Sequence, residues 1–87
     1  MMYGLYISDK LNRIFSKLLK KNIKQLKILN KKIIQIRNNP EHFKPLRGDL
    51  KGARRVHIDK SFVLTYEIDE KKKIVRLLDY EHHDNIY

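Results

Sequence analysis

The sequence predicts an α+β domain: an N-terminal strand, a two-helix hairpin, then a three-stranded antiparallel segment. Together they form one mostly antiparallel sheet with the helices on one face. Three observations carry that prediction. Apolar residues recur at helical spacing from Leu11 to Ile36. After Arg54 the period switches to alternation, the signature of strands. Between the two regimes stand Pro40, Pro45, Gly48 and Gly52, which punctuate a loop. The 87 residues are enough for a single domain, 1–87, with one core.

The elements follow in order. Residues 2–7, MYGLYI, combine aromatic and aliphatic side chains as a short strand does. Ser8 is placed to N-cap a helix, with Asp9 favourable in its first turn. Leu11, Ile14, Phe15, Leu18 and Leu19 then form an apolar face. Lys20, Lys21 and Asn22 mark a break, since lysines suit a helix C-terminus and Asn ends or restarts one. A second helix is expected from about residue 23 to Asn38. Its stripe is Leu26, Leu29, Ile33 and Ile36, with Ile23 and Ile34 beside it. Asn39-Pro40 stops it. Residues 41–52 read as irregular loop. Beyond it, Val56 and Ile58 point one way and Arg55, His57 and Asp59 the other. Phe62, Leu64, Tyr66 and Ile68 alternate against Val63, Thr65 and Glu67. A turn is expected at 69–72. Residues 74–80 are a third strand, apolar on both sides, whose facing periodicity alone leaves open. Turns this short imply antiparallel pairing.

Composition narrows the function. There is no cysteine, which excludes disulfides, thiolate zinc sites and cysteine nucleophiles. No apolar run is long enough for a membrane span or a secretory segment, so a cytoplasmic protein without a membrane partner is expected. The net charge is +10, and its distribution is lopsided. Residues 1–40 hold ten Lys/Arg and one acid, whereas residues 41–87 hold ten Lys/Arg and nine acids. The basic field therefore belongs to the N-terminal segment. Such a field steers a small protein toward a polyanion, nucleic acid above all; a lysine-rich solvated helix face is the plainer alternative.

Two chemistries fit the remaining polar residues. Neutral imidazoles and a carboxylate bind zinc, which puts His57, His82, His83 and Asp84 under consideration. Adjacent strand histidines point to opposite faces, no zinc-ligand spacing is present, and nearby Arg and Lys oppose a divalent cation. No metal or cofactor is expected. Cleaving RNA without a metal needs a base for the 2′-OH, a cation for the crowded phosphorane and an acid for the departing 5′-oxygen. Histidine suits the first and third, and Arg54 or Arg55 the second. Tyr87 is suited to stack on a base or donate its hydroxyl. Taken singly, each residue also has a structural reading: solvated edge charges, an exposed strand histidine, an aromatic core plug. If Val56 and Ile58 face the helices, Arg55 and His57 face out together, and the returning last strand is placed to bring His82 or His83 near His57.

The segment from Pro45 to Tyr87 resembles the RelE/ParE toxin superfamily, and most closely the YafQ-like branch of RelE-type messenger-RNA interferases. That branch carries a pattern close to P-L-x-G-x-x-x-G-x-R-x-x-H-[IV], an alternating strand, and a terminal H-x-x-x-[FY]. Pro45, Leu46, Gly48, Gly52, Arg54, His57, Ile58, Leu64 and Tyr66 match without a gap, and His83 and Tyr87 match the terminal spacing. The resemblance implies a RelE-like microbial RNase fold and the toxin of a type II toxin–antitoxin pair. It implies a ribosome-dependent endoribonuclease that cuts messenger RNA in the ribosomal A site and is blocked by a cognate, acidic, partly disordered RelB-like antitoxin. Carried over by position, His57 and His83 take acid–base roles, Arg54 and Arg55 handle phosphate, and Tyr87 holds or stacks on the substrate. Lys44, Arg47 and Lys51 join Arg54 as expected phosphate contacts. The chain departs from the branch at Lys44, where a histidine is usual, and at Ser61, where an aspartate is usual. It has Val63 where RelE itself has a basic residue. ParE-type relatives share the fold, lack the histidine set and poison DNA gyrase instead.

Overall fold

A computed structural model describes residues 2–43, 45 and 52–82. The elements are β1 (Gly4–Ile7), α1 (Asp9–Lys21), α2 (Ile23–Asn38), β2 (Ala53–Ile58), β3 (Phe62–Asp69) and β4 (Ile74–His82). The strands form one sheet in the order β1-β4-β3-β2. β2, β3 and β4 run antiparallel, and β1 lies parallel to β4 at the edge.

The helix ends follow from their capping residues. The Ser8 hydroxyl accepts from the Leu11 N–H at 3.3 Å, while Asp9 opens α1 and Lys20 and Lys21 close it, each matching the helix dipole. Asn22 serves both helices. Its own N–H donates to the Leu18 carbonyl, ending α1, and its side-chain oxygen accepts from the Gln25 N–H, starting α2. At the far end of α2 the Asn39 N–H donates to the Gln35 carbonyl just before Pro40.

The helices cover one face of the sheet. Leu11, Leu29, Ile33 and Ile36 pack against Val56, Ile58, Leu64, Tyr66, Val75, Leu77 and Tyr80. The predicted stripe of α2 needs one correction. Ile23 and Ile34 are about half exposed, whereas Gln25 is buried. The reason is helical geometry: one residue turns the side chain about 100° around the axis, so Ile34 leaves the sheet that Ile33 faces, and Ile23 lies on the same flank. The strand boundaries shift as well. β1 begins at Gly4 rather than at residue 2, β4 runs on to His82 rather than ending at residue 80, and the turn before it occupies 70–73.

Between Thr65 and Tyr66 the β3–β4 register shifts, because β4 carries an extra residue, Leu78. That bulge resolves the facing of β4. Before it, Val75 and Leu77 face the helices; after it, Tyr80 does so again, and all three are buried. Without the bulge, period-2 alternation from Leu77 would turn Tyr80 to the other side.

Candidate active site

The face turned away from the helices, called here the far face, is built from side chains the core does not use. On β2 it carries Ala53, Arg55 and His57, since Arg54, Val56 and Ile58 pair with Tyr66, Leu64 and Phe62 of the helix-packed side. Pairing then lays out two rows across three strands. One row is His57, Val63 and Glu81; the next is Arg55, Thr65 and Asp79. Val63 and Thr65 form a buried floor on β3, while His57 is exposed on one wall and Glu81 half-buried on the other. Both Asp79 and Glu81 come after the bulge, which sets them on this face.

Arg55 brings a desolvated donor to that floor. Its Nε is buried and meets no hydrogen-bond partner among the described residues.

Arg54 does different work. It lies on the helix side of β2, and its Nη1 donates to the Phe43 carbonyl at 2.6 Å and the Glu41 carbonyl at 3.3 Å. Its cross-strand neighbour Tyr66, fully buried, donates its hydroxyl to the Pro40 carbonyl at 2.6 Å. Arg54 and Tyr66 thus fasten the chain leaving α2 to the sheet. A bridge between Pro45 and Arg54 continues that attachment. Burial pushes the Tyr66 hydroxyl up to about 12, against the lowering effect of the Arg54 guanidinium. Tyr80 is raised too, by burial first and by the Asp59 carboxylate second.

His82 falls on the wrong side to meet His57. It pairs with Phe62, and its ring packs edge-on against the Phe62 ring at 5.2 Å on the helix-packed face. The expectation that His82 approaches His57 is therefore corrected; the sheet separates them. His83, Tyr87, Lys44, Arg47 and Lys51, and with them Asp84, lie outside the described residues. Among the described residues no group of three or more His, Asp or Glu is arranged to hold a metal ion. None of the described helices is long and apolar enough to cross a membrane. Sequence reasoning passed over Glu81 and Asp79, because their placement depends on the bulge, and a lone leucine does not announce one.

A model of the ParE-like toxin of type II bacterial toxin–antitoxin systems matches residues 5–87. The chain belongs to this toxin family. It is 49% identical over 86 residues to a Methanocaldococcus jannaschii relative that carries the toxin name RelE4, covering 99% of this chain and 92% of that one. Two solved structures show the same fold. The RelBE2 toxin–antitoxin complex from Mycobacterium tuberculosis matches with a TM-score of 0.78 at 22% identity, over 95% of this chain and 100% of that one. A substituted E. coli RelE toxin in the free state matches with a TM-score of 0.79 at 20% identity, over 99% and 88%. The toxin is thus a member of the RelE/ParE superfamily, with two helices on one face of a four-stranded sheet.

Proposed function

We propose that this toxin is a ribosome-dependent endoribonuclease, cutting messenger RNA in the ribosomal A site by metal-independent acid–base chemistry and so stopping translation. The observation that carries the reading is the far face of β2, where an exposed His57 and the desolvated Arg55 stand two residues apart on one side. A histidine moves protons near neutral pH, and a guanidinium fork fits the oxygens of the phosphate under attack. Family spacing adds His83 as a second acid–base group and Tyr87 as the substrate-stacking residue. Lys44, Arg47 and Lys51 are phosphate contacts on this reading by their charge and their place in the sequence just before Arg54. His82, turned toward the helices, leaves His83 as the histidine of that pair for the chemistry.

The partner proposed for the resting state is a cognate antitoxin, acidic and partly disordered before it binds. The charge of the chain supports this, because a basic surface is masked by an acidic segment that folds onto it.

Induction of the toxin in a host tests the function. Growth arrest with messages cut inside codons is expected, and His57→Ala or His83→Ala should relieve the arrest while the purified variant keeps its fold. Arrest with intact messages and double-strand DNA breaks would replace this reading with that of a gyrase poison.

A further inference from the structure

This inference rests on the nuclease reading above. We infer that the proton carrier opposite His57 is Glu81 rather than His83: Glu81 is the general base of the far-face site and His57 the general acid. His57, Val63 and Glu81 occupy one row across β2, β3 and β4, so both ionisable side chains rise from the same face on either side of a buried apolar floor. Neighbouring strands lie about 4.8 Å apart, which separates the two backbones by about 10 Å. Arg55 stands in the adjoining row of the same face.

Glu81 differs from the other carboxylates of that face. Asp69 and Glu67 are held by Arg76 at 3.0 and 3.5 Å, and Asp69 also accepts from the Lys72 N–H. Asp79 accepts from the Tyr80 N–H and lies 3.9 Å from Lys10. The Glu81 side chain makes no hydrogen bond or ion pair with another described residue. A base must have a lone pair to use, and Glu81 keeps its oxygens for an incoming proton.

The step balances without a co-reactant. The Glu81 carboxylate takes the proton of the ribose 2′-OH, and that oxygen bonds to phosphorus. The bond from phosphorus to the 5′-oxygen breaks, and this oxygen takes a proton from the His57 imidazolium. Arg55 offsets the charge gathered on the non-bridging oxygens. The products are a 2′,3′-cyclic phosphate and a 5′-hydroxyl, and exchange with water restores Glu81 and His57.

The test uses the full chain and programmed ribosomes, with cleavage followed at steady state for kcat and KM. A carboxylate beside a phosphodiester repels it, so a Glu81 that is only a surface charge gives a Glu81→Gln variant with tighter binding and unchanged kcat. As the base, the same variant loses about 100-fold in kcat with KM equal or lower. It also loses the acidic limb of the rate–pH profile, and Glu81→Asp restores part of the rate. Asp69→Asn, on the same face but engaged by Arg76 and the Lys72 N–H, should cleave normally. A folded Glu81→Gln with wild-type kcat or a retained acidic limb, alongside an inactive His57→Ala, overturns the assignment and leaves the nuclease reading standing. A wild-type toxin that cleaves no message on the ribosome overturns both.

Discussion

Two tyrosines of the core should respond to the same substitution with opposite signs. Tyr66 is fully buried and donates its hydroxyl to the Pro40 carbonyl at 2.6 Å. Removing that hydroxyl in Tyr66→Phe leaves the carbonyl of a buried residue without its donor, a cost of about 1–3 kcal/mol. For a domain of this size that lowers Tm by about 4–8 °C per kcal/mol. Tyr80 is equally a core residue, stacked on Phe62 at 5.2 Å and edge-on to Phe15 at 5.8 Å, yet its buried hydroxyl meets no partner among the described residues. Tyr80→Phe keeps the rings and removes an unpaired polar group, so it should be neutral or stabilise by up to about 1 kcal/mol. The pH dependence of Tyr66 follows from its raised folded value. Its contribution is complete below pH 10, the unfolded value, and is lost as pH climbs toward about 12, a gap corresponding to about 2–3 kcal/mol. Guanidinium melts from pH 7 to 11.5 are the assay. The stability gap between wild type and Tyr66→Phe should be largest at neutral pH and narrow above pH 10. If both substitutions destabilise equally, the hydrogen-bond argument is wrong; a gap that stays constant to pH 11.5 overturns the raised value that burial gives the Tyr66 hydroxyl.

Arg54→Lys keeps the charge but loses the guanidinium Nη1 that reaches both the Glu41 and the Phe43 carbonyl. It should cost about 1–3 kcal/mol, read as a lower denaturation midpoint at unchanged m-value, which a purely phosphate-binding arginine would not show. Reversing the exposed helix charges in Lys17→Glu, Lys20→Glu, Lys24→Glu and Lys27→Glu should weaken ribosome or RNA binding and flatten its dependence on salt. The slope of log K against log salt should shrink by about 0.7–0.9 for each phosphate that the helices no longer neutralise, with an unchanged slope counting against the helices as the docking layer.

The legible parts of this fold were those written in period and punctuation. The helices announce themselves through Ser8, Asn22 and Asn39-Pro40, and β2 and β3 through alternation clean enough to predict that Arg55 and His57 share a face. Gln25 was not legible, because a polar side chain in a buried helical position looks the same in sequence as one in solvent. Neither were the contacts of Arg54. Its position in the motif suggests phosphate and says nothing of the carbonyls more than ten residues earlier that its Nη1 meets, since such a contact exists only after the fold does. β4 resisted for a sharper reason. Its one-residue bulge converts a single period into two half-periods of opposite phase, so Leu77 and Tyr80 share a face that no uniform alternation can give them.

The charge distribution over the two layers bears on why such a nuclease would need a ribosome. The far face holds Arg55 and Arg76 against Glu67, Asp69, Asp79 and Glu81 among the described residues, and Arg76 is already taken up by two of those acids. Apart from Lys10, which reaches Asp79 at 3.9 Å, the exposed lysines of α1 and α2 lie on the opposite layer, with Asp9 as the sole acid of either helix. Under the nuclease reading, a short oligonucleotide lying only on the described residues of the far face meets as much repulsion as attraction and gains little from the field behind the sheet, which water and salt screen within about 8–10 Å. A large polyanion that touches the helices gains the full field and is then able to present one scissile phosphate to Arg55 and His57. Under that reading recruitment and chemistry are separated by the thickness of the domain, and an RNA particle large enough to engage both is the substrate such an arrangement favours over free RNA.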